Sequence, residues 1–140
     1  MLPLRLVLDT NIVVSAALKS DGLQRTVLLL ALTRPARWYV TPPILSEYRA
    51  VLSRPELRIR KGLRLQFLQR IEDSAYTVSP LREIRAACDP DDDIFLECAD
   101  TARADYLVTG NLRHFPRFWK QTKVVTSREF ITMIAPHLGG

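Results

Sequence analysis

Three carboxylic acids and one amide in this chain stand at predicted strand ends or in the first turns of predicted helices. Asp9 ends the first apolar run, Glu47 follows the second, Asp92 belongs to the acidic run DPDDD, and Asn111 follows a later apolar run. Carboxylate and amide oxygens are ligands that Mg²⁺ and Mn²⁺ prefer. Carboxylates clustered around such ions support hydrolysis of phosphodiester bonds, because the ion lowers the pKa of an attacking water. The residue types therefore predict an acidic site for a divalent cation, if the fold brings the four positions together.

The strand predicted over 4–8 places Asp9. Its leucines and valine are apolar on both faces, which is typical of a strand in a parallel sheet. Ligands of open α/β sheets bind in the crevice outside the carboxyl ends of the strands, and Asp9 falls at such an end. The alternative interpretation is that Asp9 caps the helix predicted over 11–18, since Asp is a favoured N-cap and the helix dipole attracts a negative charge.

Glu47 lies one turn into a helix predicted over 44–54. This helix follows a strand predicted over 38–41 and two prolines, which are tolerated in the first turn of a helix. At 100° per residue, Glu47 lies on the margin of the apolar stripe, where its stem packs while its carboxylate reaches the same sheet edge as Asp9. The alternative is a solvated surface glutamate.

The acidic run 89–93 precedes a helix predicted over 94–104. Four carboxylates in five positions repel one another unless positive charge lies close to them, and a divalent cation supplies more of it than a helix N-terminus does. Helical phase places Asp92 on the apolar side of the helix and makes it the predicted inward ligand, with Asp93 as a secondary, supporting residue. Three acids are predicted to point away from that side: Asp93, Glu97 and Asp100. The alternative is an acidic helix cap without a metal.

A further apolar strand, predicted over 105–109, ends at a polar cluster. Thr109 contributes a hydroxyl and Asn111 an amide oxygen, with Gly110 between them. Asn111 is the position where a carboxylate would be expected, and its alternative role is that of a turn residue. His114 lacks a partner histidine four residues away, so we expect a polar surface residue rather than a ligand.

The remaining pattern alternates strands with helices. Further helices are predicted over 23–32, 63–75 and 128–135, further strands over 76–79 and 123–126, and the segment 80–87 has no clear pattern. The helix over 23–32 is apolar nearly all round towards its end, so we expect it to be well buried. Ser127 is predicted to cap the last helix, with Glu129 in its first turn. The alternation predicts an α/β fold with a central parallel sheet of about five strands and helices on both faces, in one domain spanning 1–140.

The composition is that of a globular protein: 140 residues, of which 47% are hydrophobic and 25% charged. Its longest apolar run is far shorter than the roughly 20 residues of a membrane helix, and the start of the chain lacks the features of a signal peptide. We therefore expect a cytoplasmic protein without a membrane partner. Cys88 and Cys98 lack the spacing of a zinc site, and Cys98 has the phase of a core residue.

The basic residues exceed the acidic ones, which gives a formal net charge of +5. A basic surface around an acidic cleft would attract a phosphate backbone. Candidate RNA contacts lie in the basic link and near the last polar cluster, at Arg58, Arg60, Lys61 and Arg113. The alternative is a solvated basic surface, which many proteins have.

Four motifs together carry a resemblance to a known family. LVLDTNI contains Asp9, Ser-Glu contains Glu47, DPDDD-x-FLE-x-A contains Asp92, and LVTGN-x-RHF contains Asn111. In this order and spacing, which covers about residues 4–134, the sequence resembles the PIN domain family. More narrowly, it resembles the VapC-like ribonucleases, the toxins of bacterial toxin–antitoxin modules.

The resemblance implies a three-layer α/β/α fold, metal-dependent endoribonuclease activity with Mg²⁺ or Mn²⁺, a homodimer, and an antitoxin partner that occludes the site. It implies that Asp9, Glu47, Asp92 and the position of Asn111 form the acidic quartet. Thr109 would supply a hydroxyl near the metal, and Asn11 would orient the site.

Asn111 departs from the family pattern, in which many members have Asp, so the second of two ions should bind more weakly here. A non-catalytic RNA- or protein-binding module with a PIN-like fold is therefore an alternative. A phosphatase of the haloacid dehalogenase type is disfavoured because Asn11 stands where its motif needs a second Asp. A response-regulator receiver is disfavoured because the acidic pair before Asp9 and the late lysine are not evident.

Overall fold

The computed structural model describes residues 4–138 and, of the side chains, those of 4–136. It contains a six-stranded sheet whose central strands are buried apolar runs of the sequence. The sheet order is β3-β2-β1-β4-β6-β5, with five strands parallel and β5 antiparallel to β6. The strands are β1 Arg5–Leu8, β2 Arg37–Val40, β3 Tyr76–Thr77, β4 Tyr106–Val108, β5 Phe118–Trp119 and β6 Thr122–Val125.

Six α-helices connect these strands: α1 Thr10–Leu18, α2 Leu23–Ala31, α3 Pro42–Leu52, α4 Lys61–Ser74, α5 Asp93–Ala102 and α6 Ser127–Leu138. Three short 3₁₀ turns lie at Pro55–Leu57, Pro90–Asp92 and Leu112–His114. Helices lie on both faces of the sheet, so the predicted three-layer α/β/α fold is confirmed. No helix in the range 4–138 is both long and apolar enough to span a bilayer.

The centre of the sheet is fully apolar. In β1, Leu6, Val7 and Leu8 are 0% exposed, because the strand lies between β2 and β4 and is covered on both faces. Cys98 is 0% exposed within α5, which confirms its predicted place in the core. The chain runs from β1 outward to β2 and β3, and then returns to β4 on the other side of β1. The carboxyl ends of β1 and β4 therefore meet at the point where the strand order reverses, which is where open α/β sheets bind ligands.

The sheet has one more strand than the sequence predicted, and it is not entirely parallel. The additional strand, β5, contains only Phe118 and Trp119, and it pairs with β6 across a turn at Lys120, whose φ is 52°. Two residues are too few to produce a periodic pattern, so this edge strand depends on its pairing with β6 rather than on its own sequence.

Two helix predictions were wrong in detail. The cap of α6 is Thr126 rather than Ser127: the Thr126 hydroxyl accepts the Glu129 N–H at 3.1 Å, and the Glu129 carboxylate accepts the Thr126 N–H at 3.0 Å. This reciprocal pair is a capping box, in which Thr126 and Glu129 have the required spacing of three. The end of α2 is buried on one side only, since Leu28 is 3% exposed but Leu29 is 47% exposed.

Candidate functional site

Asp9 lies at the centre of the candidate site, directly after β1. It is 5% exposed, and each of its carboxylate oxygens is held. Oδ1 accepts the Thr10 N–H at 2.7 Å, and Oδ2 accepts the Thr109 hydroxyl at 2.8 Å and the Asn11 amide at 3.2 Å. Asp9 is therefore the N-cap of α1, as the alternative interpretation proposed, and at the same time a buried acid at the sheet edge.

Thr109 and Asn11 hold the loop after β4 against Asp9. The backbone supports this arrangement, because Asp9 N–H donates to the Val108 carbonyl at 2.9 Å. The Thr109 hydroxyl also accepts the Asn111 N–H at 2.9 Å, and the Asn11 side-chain oxygen accepts the Gly110 N–H at 3.0 Å. The backbone of Asn111 is thereby fixed, and this exposed residue lines the cleft.

Helix α3 carries Glu47 to the same edge. The hydroxyl of its N-cap, Thr41, accepts the Ile44 N–H at 3.3 Å, and prolines fill its first turn. The fully buried Tyr48 donates its hydroxyl to the Leu8 carbonyl at 2.5 Å, which fixes α3 against the end of β1. The next residue towards the N-terminus, half-buried Glu47, accepts a hydrogen bond from the Thr10 hydroxyl.

Asp92 approaches from the start of α5. Its side chain is 18% exposed, and its Oδ2 lies 3.1 Å from Nδ1 of His114. The preceding loop is attached to the same turn, because Cys88 N–H donates to the His114 carbonyl at 2.9 Å. Sequence reasoning predicted a polar surface role for His114, but the structure places it in the cleft. His114 follows Asn111 by three residues within one turn, and this short spacing was the feature of the sequence that could have predicted its place in the cleft.

These residues border one open cleft of about 460 Å³. The structure brings together the predicted Asp9, Asn11, Glu47, Asp92 and Asn111 around it, with Thr109 buried behind Asp9. Further residues that were not predicted from the sequence line the cleft: Thr10, Val14, Ser15, Val51, Arg54, Glu56, Leu57, Asp89 and His114.

Asp93 does not line this cleft. It is 7% exposed, and its Oδ1 accepts the N–H groups of Ala86 at 3.0 Å and Ala87 at 2.8 Å. These hydrogen bonds do not connect Asp93 to the residues of the cleft, so they do not support its predicted supporting role there. Asp93 is buried and anchors the segment before α5, which has no clear sequence pattern.

The four predicted basic contacts, Arg58, Arg60, Lys61 and Arg113, are exposed, and none of them lines the cleft.

The acids of the cleft influence one another. Burial raises the pKa of Asp9 to about 6, hydrogen bonds from Thr109 and Thr10 oppose this, and the charges of Asp92 and Glu47 add to it. Burial also raises the pKa of Asp92, against the opposing effect of His114. A buried acid whose pKa is raised by the charges of neighbouring acids is an arrangement that a bound cation would stabilise.

The donor set fits a hard divalent cation in type and charge, since it consists of carboxylate and amide oxygens without a thiolate. In their present orientation, however, no three Asp, Glu, His or Cys side chains of the described residues form a group that could hold a metal ion. Each acid instead has a protein partner: Thr109 for Asp9, Thr10 for Glu47, and His114 for Asp92. Metal binding would therefore require these side chains to turn towards a common point, and each carboxylate keeps lone pairs for coordination beside its hydrogen bonds.

The fold and the cleft define an α/β protein with an acidic site at the carboxyl edge of its central strands. The chain belongs to the PIN domain family, whose model matches residues 5–113.

Individual proteins are also similar to it. An uncharacterized protein of Methanocaldococcus jannaschii, MJ1680, is 27% identical over 140 residues, covering 91% of this chain and 90% of that protein. The crystal structure of VapBC2 from Rickettsia felis, bound to a DNA fragment from their promoter, contains a chain with a similar fold. The TM-score is 0.60 at 15% identity, covering 88% of this chain and 98% of that chain. At this identity the likeness concerns the fold alone.

Proposed function

We propose that this protein is a metal-dependent endoribonuclease, the toxin component of a toxin–antitoxin system, formed by one domain over 1–140. PIN domains are generally nucleases, which supports the reaction class. The observation that carries the proposal is the convergence of Asp9, Glu47 and Asp92 on one cleft, although they are separated by up to 83 positions in the chain. Acids that repel one another in a shared cleft are suited to holding a cation.

Asp9, Glu47 and Asp92 would hold Mg²⁺ or Mn²⁺, with Asn111 as a neutral oxygen donor or the holder of a water. When bound, such an ion lowers the pKa of an attacking water and stabilises the charge that develops on a phosphodiester.

The chain's own residues have distinct tasks in this scheme. Asp9 is the central acid, and Thr109 and Asn11 restrict its carboxylate to one orientation. Glu47, on α3, would ligate the cation or orient the water that attacks, and Thr10 holds it. His114 holds Asp92. Such preorganisation contributes to catalysis because the groups need not be arranged during the reaction.

An antitoxin partner and a homodimer belong to the same proposal, as does a cytoplasmic location. The similarity in fold to a chain of VapBC2 supports the antitoxin partner. The basic composition supports an RNA substrate, since a net charge of +5 attracts a polyanion.

A second candidate function is a PIN-like module that binds RNA or protein without cleaving it. Asn111 favours this reading, because it lowers the negative charge available for a second ion. The hydrogen bonds that already engage all three acids favour it as well.

A cleavage assay tests the proposed function. Purified protein is incubated with mixed RNA and Mg²⁺ or Mn²⁺, alongside the Asp9→Asn variant and a sample with EDTA. We expect the wild-type protein to cleave RNA only with the metal, and Asp9→Asn to lose this activity because the charge that holds the ion is gone. Asp21→Asn, which removes an exposed carboxylate outside the cleft, is the matched control and should cleave normally.

Metal-dependent cleavage that persists in Asp9→Asn would refute the assigned site. RNA binding that EDTA does not alter, without cleavage by the wild type, would favour the binding module.

A further inference from the structure

Arg54 is the one lysine or arginine among the described residues that line the acidic cleft. Five carboxylic acids line the same cleft: Asp9, Glu47, Glu56, Asp89 and Asp92. A polyanion that enters such a cleft meets mainly negative charge, so a single cation in the wall has a large influence on where its phosphates can lie.

The position of Arg54 relative to Glu47 is set by α3. Glu47 and Val51 are four residues apart and both line the cleft, and Arg54 follows three residues later, just past the helix end at Leu52. Offsets of four and seven share one helix face, and seven residues of helix rise about 10 Å. Arg54 therefore lies along the cleft from Glu47, with Glu56 two residues beyond it.

The backbone at Arg54 is held firmly. Its N–H donates to the Val51 carbonyl at 3.1 Å, and its own carbonyl accepts the Leu57 N–H at 3.1 Å. Pro55 follows and restricts the chain further. The exposed side chain thus extends from a fixed point.

The guanidinium of Arg54 is available to a ligand. Some other arginines form salt bridges: Arg49 lies 2.8 Å from the Glu72 carboxylate, and Arg117 lies 3.2 Å from the Glu129 carboxylate. Within the described residues, Arg54 has no carboxylate partner within 4.0 Å, despite the acids of the cleft. A guanidinium presents a planar fork of donors that matches two oxygens of a phosphate.

We propose that Arg54 binds a backbone phosphate of the RNA strand next to the one that is cleaved, and so sets the register of the strand along the α3 wall. This inference rests on the proposed function for its substrate class. It assigns to Arg54 the main phosphate contact of the cleft, whereas the basic residues that the sequence suggested lie outside it.

The first test measures RNA binding without cleavage. A short, fluorescein-labelled single-stranded RNA is titrated with protein in the Asp9→Asn background in EDTA, and fluorescence anisotropy is followed at several salt concentrations. We expect Arg54→Ala to weaken binding about tenfold, the scale of one hydrogen-bonded charge contact. The slope of log Kd against log salt should fall by about 0.7, the contribution of one phosphate contact on a single strand. Arg54→Lys keeps the charge but loses the planar fork of donors, so its Kd should lie between those of the background protein and Arg54→Ala.

Arg49→Ala is the matched control. It removes the same charge from the exposed face of α3, outside the cleft, and should leave Kd within twofold of the background protein. An Arg54→Ala variant that binds like the background overturns the inference. So does an equal loss in Arg49→Ala, or a background protein that does not bind the RNA.

The second test separates this inference from the proposed function. In the cleaving protein with its metal, Arg54→Ala should raise KM and leave kcat nearly unchanged, since a neighbouring phosphate is bound equally before and during cleavage. If the wild type does not cleave RNA but Arg54→Ala weakens binding, the proposed function fails and only the phosphate contact of Arg54 stands. If the wild type cleaves and Arg54→Ala has the same KM, the role of Arg54 fails and the proposed function stands.

Discussion

Asp9 performs two tasks that compete with each other energetically. As the N-cap of α1 it stabilises the helix, and its carboxylate accepts three hydrogen bonds. As a buried acid beside Asp92 and Glu47 it carries a charge that the fold disfavours, which is why its pKa is raised to about 6. A functional residue that reduces stability in this way is expected where the site is built for a cation.

The first prediction concerns the stability of Asp9→Asn without metal. The pKa of Asp9 is higher in the folded state, about 6, than its ordinary value of 3.8, so the folded state binds the proton more tightly. The stability of the wild type therefore decreases as pH rises from about 4 to 6, and stays lower above that. At pH 7 in EDTA, we expect Asp9→Asn to be more stable by about 1–3 kcal/mol, and at pH 4 the two should converge.

Urea unfolding at both pH values measures this difference. Adding Mn²⁺ should then stabilise the wild type and leave the variant unchanged, because only the wild type keeps the central ligand. A variant that is less stable than the wild type at pH 7 would contradict the argument.

The second prediction concerns Asn111. Its side chain is exposed at the cleft, so Asn111→Asp adds a charge without burying it. We expect this variant to bind a second Mn²⁺ more tightly than the wild type, because a fourth carboxylate joins the donors. Isothermal titration calorimetry checks it, and unchanged stoichiometry and affinity would count against a metal role for this position.

Among the elements, α5 contributes both to the cleft and to the order of the segment that precedes it. One side of its N-terminus presents Asp92 to the cleft, while Asp93 and Glu97 accept backbone N–H groups from the segment that precedes the helix. The Glu97 carboxylate accepts the Ile84 N–H at 3.0 Å. The segment without a sequence pattern is therefore ordered by the side chains of a helix that comes later in the chain.

The third prediction tests this anchoring. Asp93→Ala leaves the N–H groups of Ala86 and Ala87 without their acceptor, which should cost about 1–3 kcal/mol of stability. Amide hydrogen exchange at these two residues should also become faster. Asp91→Ala, at an exposed neighbouring acid, is the control. Equal unfolding free energies in the two variants would show that the contacts of Asp93 do not stabilise the fold.

At the scale of the whole molecule, Asp100 joins α5 to the β5–β6 hairpin. Its side chain is 6% exposed and lies 2.7 Å from the Lys120 amine, and the Trp119 indole donates to it at 3.0 Å. Arg82 approaches its other oxygen at 3.4 Å. This network fixes the edge of the sheet that the sequence pattern did not reveal.

The fourth prediction concerns acid stability. Burial would raise the pKa of Asp100, but hydrogen bonds from Lys120, Trp119 and Arg82 outweigh it and lower the pKa to about 2. The stabilisation is therefore present above pH 4 and is lost as pH falls towards 2. Asp100→Asn should be less stable by about 1–2 kcal/mol at pH 7, since the exposed partners weaken the effect, and this gap should close near pH 2. A gap that is independent of pH would exclude the ionised carboxylate as its cause.

The sequence by itself predicted most of the elements and three of the acids that line the cleft. Apolar runs and helical periodicity depend on neighbours in the chain, so they predicted the strands that end at Asp9 and Thr109 and the helix that carries Glu47. The polar residues that follow these strands could then be interpreted as parts of one site, because the carboxyl ends of parallel strands share one edge.

Only the tertiary structure decided which side chains meet at that edge. Asp9 and Thr109 are 100 positions apart, and His114 reaches Asp92 across 22 positions. Arg54 enters the cleft because α3 is fixed against β1 by Tyr48, and local periodicity carries no information about that contact. Such contacts arise from the packing of whole elements, which depends on all of the buried side chains at once rather than on any one stretch of the chain.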